Sequence, residues 1–482
     1  MSGVQAIKAP SDARHRVNRT SSHKVGDTVA SPGSRPLPGT ALCMVLLALS
    51  MVLGGGGTVN PQTEMILEVC TGLIIIPLVA STKWQRGLGS IQAPALLLGG
   101  LVLLIPVLQL IPLPPSVWQS LPGRSVEIQS LALIGAENSW MPLTMAPART
   151  FASLLAMICP VLFMLQVSRL SHRGRGWLCA VIVGIGALSL VVGVLQLSHT
   201  AGFDWSLYSE YSEGFLVGFQ ANRNAQADIL LAAMLASGAL ASARLGHGRS
   251  GPLTWTALTL SLASLLTGLI MTGSRTGIAL GVVALGFIGL MLQPRLGKGR
   301  AVFYGLAGTV VAAIVSAGLL LQLQSIQKVV ARFSFTREAR WDLWADTWHA
   351  AQQVWPFGSG IGTIVPMLEA AERLEVVDPT RPVRAHNDWL EWTLEAGLPG
   401  LVVLAVVFAV LGFLIVRAII EVRRQDAASS RRAQVIFACG FLMIEALHAI
   451  VDYPMRSMSL AMLAAVAAAF LLDPAATQRK QS

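Results

Sequence analysis

Three short stretches of this 482-residue chain carry side chains suited to holding an anion or moving a proton. "GFQANRNAQADILL" sets Arg223 between Asn222 and Asn224, and "MTGSRTGIAL" sets Arg275 among Gly, Ser and Thr. A guanidinium group is always charged and presents a rigid fork of donors that matches phosphate oxygens. The third stretch, "RPVRAHNDWLEWTLEAGLPG" (residues 381–400), gathers Arg384, His386, Asn387 and Asp388 just before an apolar run. Histidine is the residue type whose ordinary pKa lets it accept a proton near neutral pH. His386 is therefore the candidate base, with Asn387 and Asp388 able to orient its ring. The plainer alternatives are a structural histidine and two arginines that snorkel as membrane anchors.

The elements that must position these residues are membrane spans. Hydrophobic residues make up 54% of the chain and charged residues 12%, with a mean hydropathy of +0.62. Apolar runs near 20 residues, the length that crosses a hydrocarbon core of roughly 30 Å, recur at 40–59, 62–80, 94–113, 151–168, 177–198, 225–243, 253–273, 276–293, 301–322, 397–416, 433–451 and 457–472. The composition thus predicts an all-α integral membrane protein of about twelve transmembrane helices. Counts of eleven or thirteen also fit, because the second run carries Glu64 and Glu68 and the last is short.

The net charge of +10 is unevenly spread. With the N-terminus inside, Lys83 and Arg86, then Arg169, Arg173 and Arg175, then Arg244 and Arg249, then Arg295, Lys298 and Arg300, then Arg417 to Arg432 all fall on one side. That is the positive-inside pattern, so both termini are expected in the cytoplasm and no nucleic-acid partner is implied. Residues 1–36 are polar and read as a disordered tail, and 473–482 as a second cytoplasmic tail. The five cysteines all lie in apolar runs without metal-type spacing, which supports neither a disulfide framework nor a zinc site.

In this topology Arg223, Arg275 and His386 all fall at the outer ends of spans. The segments 114–150, 199–224 and 323–396 also face outward, and the last is long enough for a small loop domain. Loops beyond about 15 residues are usually functional or disordered, and the tryptophans of 323–396 argue against disorder. "TREARWDLWADTWHAAQQVWP" places Trp341, Trp344 and Trp348 at helical spacing. They suit an amphipathic helix at the headgroup level or a surface for stacking on sugar rings. "GSGIGT" (358–363) lacks the lysine of a nucleotide loop. It reads as a tight turn, with a backbone cradle for a lipid phosphate as the alternative. In "EALHAIVDYPMR", Glu445, His448 and Asp452 recur at roughly helical spacing inside an apolar run. Intramembrane ionisable groups are functional candidates, and a helix-packing hydrogen-bond network is the alternative.

The ordered set "NRNAQA", "GSRTG", "RWDLWADTW…GSGIGT" and "HNDWLEWTLEAGLPG" resembles the O-antigen ligase / Wzy polymerase superfamily of bacterial surface polysaccharide assembly, over roughly residues 200–455. The resemblance implies a GT-C-like helical glycosyltransferase with a large periplasmic loop between helices 9 and 10. On that basis the chain divides into spans one to nine (37–322), the loop domain (323–396) and spans ten to twelve (397–472). The implied donor is a glycan on undecaprenyl pyrophosphate in the bacterial inner membrane, and the implied acceptor is a glycan or lipid A–core. Other polysaccharide assembly proteins are further possible partners. Arg223 and Arg275 fall on the family's proposed pyrophosphate-binding arginines, and His386 on its proposed base. Asn222, Arg340, Asn387, Asp388, His448 and Asp452 are the further substrate-binding candidates. No metal or other cofactor is expected, because arginines can stabilise the charge that gathers on a leaving pyrophosphate.

The "HAIVDYPMR" ending looks more like members found with exopolysaccharide genes, which favours a polymerase over a ligase. The rival of another class is a polysaccharide transporter or flippase. Transporters place their polar groups near the midplane on broken helices, rather than at one end of the spans.

Overall fold

The computed structural model describes residues 35–57, 61–81, 88–198, 206–209, 211–246, 251–293, 340–375, 383–424 and 429–473. Their architecture is helical throughout, apart from one two-residue antiparallel pair. In chain order the long helices are α1 (Pro38–Leu53), α2 (Pro61–Ala80) and α3 (Ala93–Gln109). A surface segment follows with β1 (Pro112–Leu113), α4 (Pro115–Trp118), α5 (Ser125–Leu133) and β2 (Met141–Pro142), in which Pro112 pairs with Pro142. Then come α6 (Pro147–Ser168), α7 (His172–Ser198), α8 (Arg223–Gly246), α9 (Pro252–Met271) and α10 (Arg275–Leu292). The last group is α11 (Arg340–Gln353), α12 (Ile364–Ala371), α13 (Asp388–Arg424), α14 (Ser429–His448) and α15 (Met458–Leu471).

Proline opens α1, α6 and α9. Its missing N–H costs nothing in the first turn of a helix, and its fixed φ already suits one.

Seven of these helices (α2, α6, α7, α8, α9, α10 and α13) are long and apolar enough to cross a membrane. The apolar helices α1, α3 and α15 are shorter. Every span expected from the sequence coincides with a helix except 301–322, which lies outside the described residues, as does part of the 323–396 segment.

The bundle is built around α8. Its most apolar window is 78% buried, against 11% for α13, so α8 is the central helix and α13 runs along the outside. Helices α7, α9, α10 and α14 pack around it. The sequence of α8, "RNAQADILLAAMLASGALASARLG", explains this. Alanine, serine and glycine let backbones approach closely where lipid offers no hydrophobic drive to associate.

One approach matters for the site. A Cβ on Gly277, in the first turn of α10, would stand 2.5 Å from the Cβ of Ala227, one turn into α8. Only glycine lets the two helix starts touch, and those starts carry Arg275 and Arg223.

Helix α13 is broken at Gly397, where φ is +58° and the backbone leaves the helical region. The Leu398 N–H donates instead to the Pro356 carbonyl at 2.7 Å. The short polar first part of α13 is thereby set at an angle to its longer apolar remainder.

At the far end of the bundle, Arg175 donates to the Leu472 carbonyl at 2.6 Å and Arg431 to the Phe470 and Leu471 carbonyls at 2.5 and 3.1 Å. These are carbonyls at the C-terminus of α15, which has no further turn to satisfy them.

Candidate functional site

His386 sits in the turn before α13 and is, among the described residues, the one non-glycine with positive φ, at +49°. Such backbone is uncommon for a side chain with a Cβ and persists only where its surroundings hold it. Here five hydrogen bonds do so. The Asp388 N–H donates to the carbonyls of Ala449 and Asp452 at 2.9 and 3.1 Å. The Ala385 N–H donates to Glu391 Oε2 at 3.1 Å. The Trp344 indole N–H on α11 donates to the His386 carbonyl at 3.3 Å. The ring itself is held by Asp452, whose Oδ1 lies 2.9 Å from Nδ1.

A carboxylate at Nδ1 fixes the tautomer. In the neutral ring this favours the tautomer with the proton on Nδ1, donated to Asp452, and the lone pair on Nε2. Tyr453 packs against the same ring, with centroids 4.9 Å apart and planes at 60°.

Asp452 is itself located from several directions. Its N–H donates to the His448 carbonyl at 3.0 Å, in the turn that ends α14. Asn222, just before α8, donates from Nδ2 to Asp452 Oδ2 at 3.4 Å and to the Tyr453 hydroxyl at 3.1 Å. Burial works to raise the carboxyl's pKa. The hydrogen bond and charge of His386 lead the opposing effects, with the charges of His448 and Arg340 adding to them, and together they hold it down at about 2. Asp452 is therefore held as a carboxylate near neutral pH, facing the ring.

Beside this pair runs a row of acids. Asp388, Glu391 and Glu395 share one face of the first turns of α13, and Arg456 lies along all three. Its Nε is 3.2 Å from Asp388 Oδ1 and 3.4 Å from Glu391 Oε1, and its Nη1 is 2.8 Å from Glu395 Oε2. Burial opposes the charge on Arg456, but the carboxylates of Glu391, Glu395 and Asp388 outweigh it and push its pKa above the usual value. Arg384 adds a second cation, donating to Glu391 Oε1 at 2.9 Å and to the Gly57 carbonyl at 3.1 Å, which ties the end of α1 to the site.

The glycine-rich loop 358–363 joins the same knot. The N–H groups of Gly362 and Ile364 donate to Glu395 Oε1 at 2.8 and 3.2 Å, and Gln109 of α3 bonds both the Glu395 carbonyl and the Ile361 N–H. The cradle that the sequence left open for a lipid phosphate is filled by the chain's own carboxylate.

The other expected residues fall as follows. Arg223 begins α8 one residue after Asn222, and its guanidinium lies over the Phe215 ring, 4.4 Å from the centroid. Arg275 begins α10 and is exposed, with Ser274 capping the helix through the Gly277 N–H at 3.1 Å. Arg340 begins α11, near enough for its charge to act on Asp452. Asn387 caps α13 by accepting from the Leu390 N–H at 3.0 Å, and Asp388 accepts from the Met455 N–H at 3.2 Å and from Arg456. Both side chains are thus engaged in holding the turn, and the ring of His386 is oriented by Asp452 instead. Asp452 also lies beyond the end of α14 rather than on its face.

His448, at the end of α14, bonds through Nδ1 to Asp228 Oδ1 at 2.7 Å, with both side chains 1% exposed. Glu445, one turn earlier, is buried. On α11 the face turned inward is Asp346, Thr347 and Ala350, with Asp346 paired to Arg373 at 2.5 Å. Trp341 and Trp348 are exposed and Trp344 is half-buried. Among the described residues no group of three His, Cys, Asp or Glu side chains is arranged to hold a metal ion.

Sequence reasoning did not assign Asp228, Tyr453, Arg384, Glu391, Glu395 or the acid-binding role of Arg456. A signal existed for two of them. Asp388, Glu391 and Glu395 follow the i, i+3, i+7 spacing of one helix face.

No curated protein matches the chain. Residues 260–405 match the family model described as O-Antigen ligase, a stretch that contains Arg275, Arg340, Arg384, His386, Glu391 and Glu395. Asn222, Arg223 and Asp452, which complete the geometry, come from outside it. Residues 260–405 are thus similar to the O-antigen ligase family, within a helical chain whose long apolar helices mark a multi-pass membrane protein.

Proposed function

We propose that this chain transfers a glycan from undecaprenyl pyrophosphate to a sugar hydroxyl at the periplasmic face of the bacterial inner membrane, as a Wzy-type polymerase of O-antigen or exopolysaccharide repeats. The observation that carries this reading is the His386–Asp452 pair, 2.9 Å apart, inside a turn that an ion network holds rigid. The family match to polysaccharide assembly supports the substrate class. The positive-inside pattern supports an orientation with both termini cytoplasmic and the site outside, and the resemblance to the family supports about twelve GT-C-like spans.

In this mechanism Asp452 holds the Nδ1 proton and Nε2 takes the proton of the acceptor hydroxyl. The acceptor oxygen bonds to the anomeric carbon as the bond from that carbon to the pyrophosphate oxygen breaks. The bonding pair leaves on undecaprenyl pyrophosphate. The proton remains on His386 until it passes to water, which reaches the exposed 31% of the side chain. The developing charge is met by Arg223 and Arg275 at two adjoining helix N-termini, whose positive dipole ends favour anions, and by Arg340. Stabilisation by guanidinium groups makes the transfer independent of a metal. Asn222 serves both substrate and Asp452, while Asn387, Asp388 and His448 position the groups in contact with the reactants.

A second reading, a ligase that moves finished polymer to lipid A–core, is favoured by the description of the matched family. Purified protein given lipid-linked repeat units, with and without lipid A–core, separates the two. A ladder of products without core indicates the polymerase, a product only with core indicates the ligase, and no covalent product in either case removes both in favour of a transporter.

A further inference from the structure

The end of the bundle opposite His386 holds a feature that glycan transfer does not use. Helix α8 starts beside the site at Arg223 and, at 1.5 Å per residue, extends about 36 Å to its far end. At that far end, between α7, α8 and α9, lies a cavity of about 430 Å³. That volume falls in the range of sites for small organic ligands.

The lining changes along its depth. At the floor, Ser237 of α8 and Ser261 of α9 bond each other at 2.9 Å, and Ser237 also donates to the Ala233 carbonyl at 2.8 Å. Those hydroxyls are satisfied and make no demand on a ligand. The walls above are apolar apart from Thr254 near the start of α9, and Gly176, Ala180 and Ala257 give the groove its width. At the mouth stand Trp177 and the exposed guanidinium groups of Arg173 and Arg244. The N-termini of α7 and α9 open at the same level and add their positive ends.

We infer that this groove binds a diacyl phospholipid with an anionic headgroup, its phosphate on Arg173 and Arg244 and an acyl chain between α7, α8 and α9. An apolar slot between membrane-spanning helices faces hydrocarbon, which selects an acyl chain over a water-soluble ligand. Two arginines at the mouth select negative charge, as basic pockets between transmembrane helices do. Tryptophan beside them suits the headgroup level. The inference needs neither the proposed reaction nor the acceptor to be right.

The test uses the full-length protein purified in detergent, with lipid retention read by native mass spectrometry. The probes are phosphatidylglycerol, phosphatidylcholine and inorganic phosphate. The expected result is retention of phosphatidylglycerol over phosphatidylcholine, with the preference falling roughly fivefold for each of Arg173→Gln and Arg244→Gln. Ala257→Trp, which fills the groove without touching the charges, should abolish retention of both lipids. Equal retention of the two lipids by the wild type would overturn the inference. So would an unchanged preference in the arginine variants, or displacement of lipid by inorganic phosphate, which would mark a free-anion site.

A second readout does not depend on the arginine variants folding. Quenching of Trp177 fluorescence by brominated phosphatidylglycerol, taken as the difference between wild type and Trp177→Phe, should exceed quenching by brominated phosphatidylcholine. Equal quenching contradicts the site.

Discussion

His386 Nδ1 and Asp452 Oδ1 stand 2.9 Å apart although 66 residues separate them in the chain. The contact ties the turn before α13 to the turn after α14, and Asn222 reaches it from the start of α8. Three otherwise separate parts of the chain thus meet on one carboxylate. In the proposed mechanism that carboxylate sets the tautomer of the base, so its loss should resemble loss of the base.

Asp452→Asn is expected to lower the transfer rate by about 10²–10⁴-fold, the range of a general base, while leaving the protein in the membrane. Combining it with His386→Ala should cost little beyond the larger single effect, because the two residues act as one unit. Single-turnover rates on lipid-linked repeats read both quantities.

Asn222→Asp should be more harmful than Asn222→Ala. The alanine removes one donor from Asp452, whereas the aspartate sets a second negative charge beside a carboxylate that is buried. Rates and pH profiles of the two variants give the order, and equal rates would show that Asn222 does not act through Asp452.

Arg456→Gln leaves Glu391 and Glu395, both 0% exposed, without their shared cation. Removing one partner of a buried ion network costs about 3–5 kcal/mol. A marked fall in the detergent melting temperature is expected, with loss of activity following from loss of the turn. For Arg275, exposed at the start of α10, the readout is turnover. Arg275→Ala should lower it by roughly 10²–10³-fold, and Arg275→Lys should restore only part of it, since a point charge does not replace a fork.

The pKa of Asp452, held at about 2 in the fold against 3.8 for the free side chain, gives a pH prediction. A depressed carboxyl stabilises the fold above its unfolded pKa, and that contribution disappears as pH falls through the folded value. The melting-temperature difference between wild type and Asp452→Asn should therefore be level above about pH 4 and shrink between about pH 4 and 2. Titration of this carboxyl should not contribute to any loss of activity near neutral pH.

Much of the helical framework was legible because hydrophobic length is a local property. The apolar runs located the helices, and Gly397 with Pro399 marks where the polar part of α13 ends. The arginines and His386 stood out because charge at the end of an apolar run is costly. Their partners were harder to see. Asp452 reads as part of a helix face with Glu445 and His448, yet the helix ends at His448 and turns it toward another element. Glu395 gives no sign in the sequence that it will fill the glycine loop, since that contact depends on the bend at Gly397 bringing residues 356–358 against α13. Asp228 looks like one polar residue in an apolar helix until α14 places His448 against it.

The central claim is that His386, held by Asp452, is the base of glycan transfer. The most direct test is single-turnover transfer from a defined undecaprenyl-pyrophosphate-linked repeat by purified His386→Ala and Asp452→Asn, each verified as folded by its melting curve. The account predicts that both bind the donor as the wild type does and that both lose transfer by at least about 10²-fold. Transfer at the wild-type rate by folded His386→Ala would contradict it.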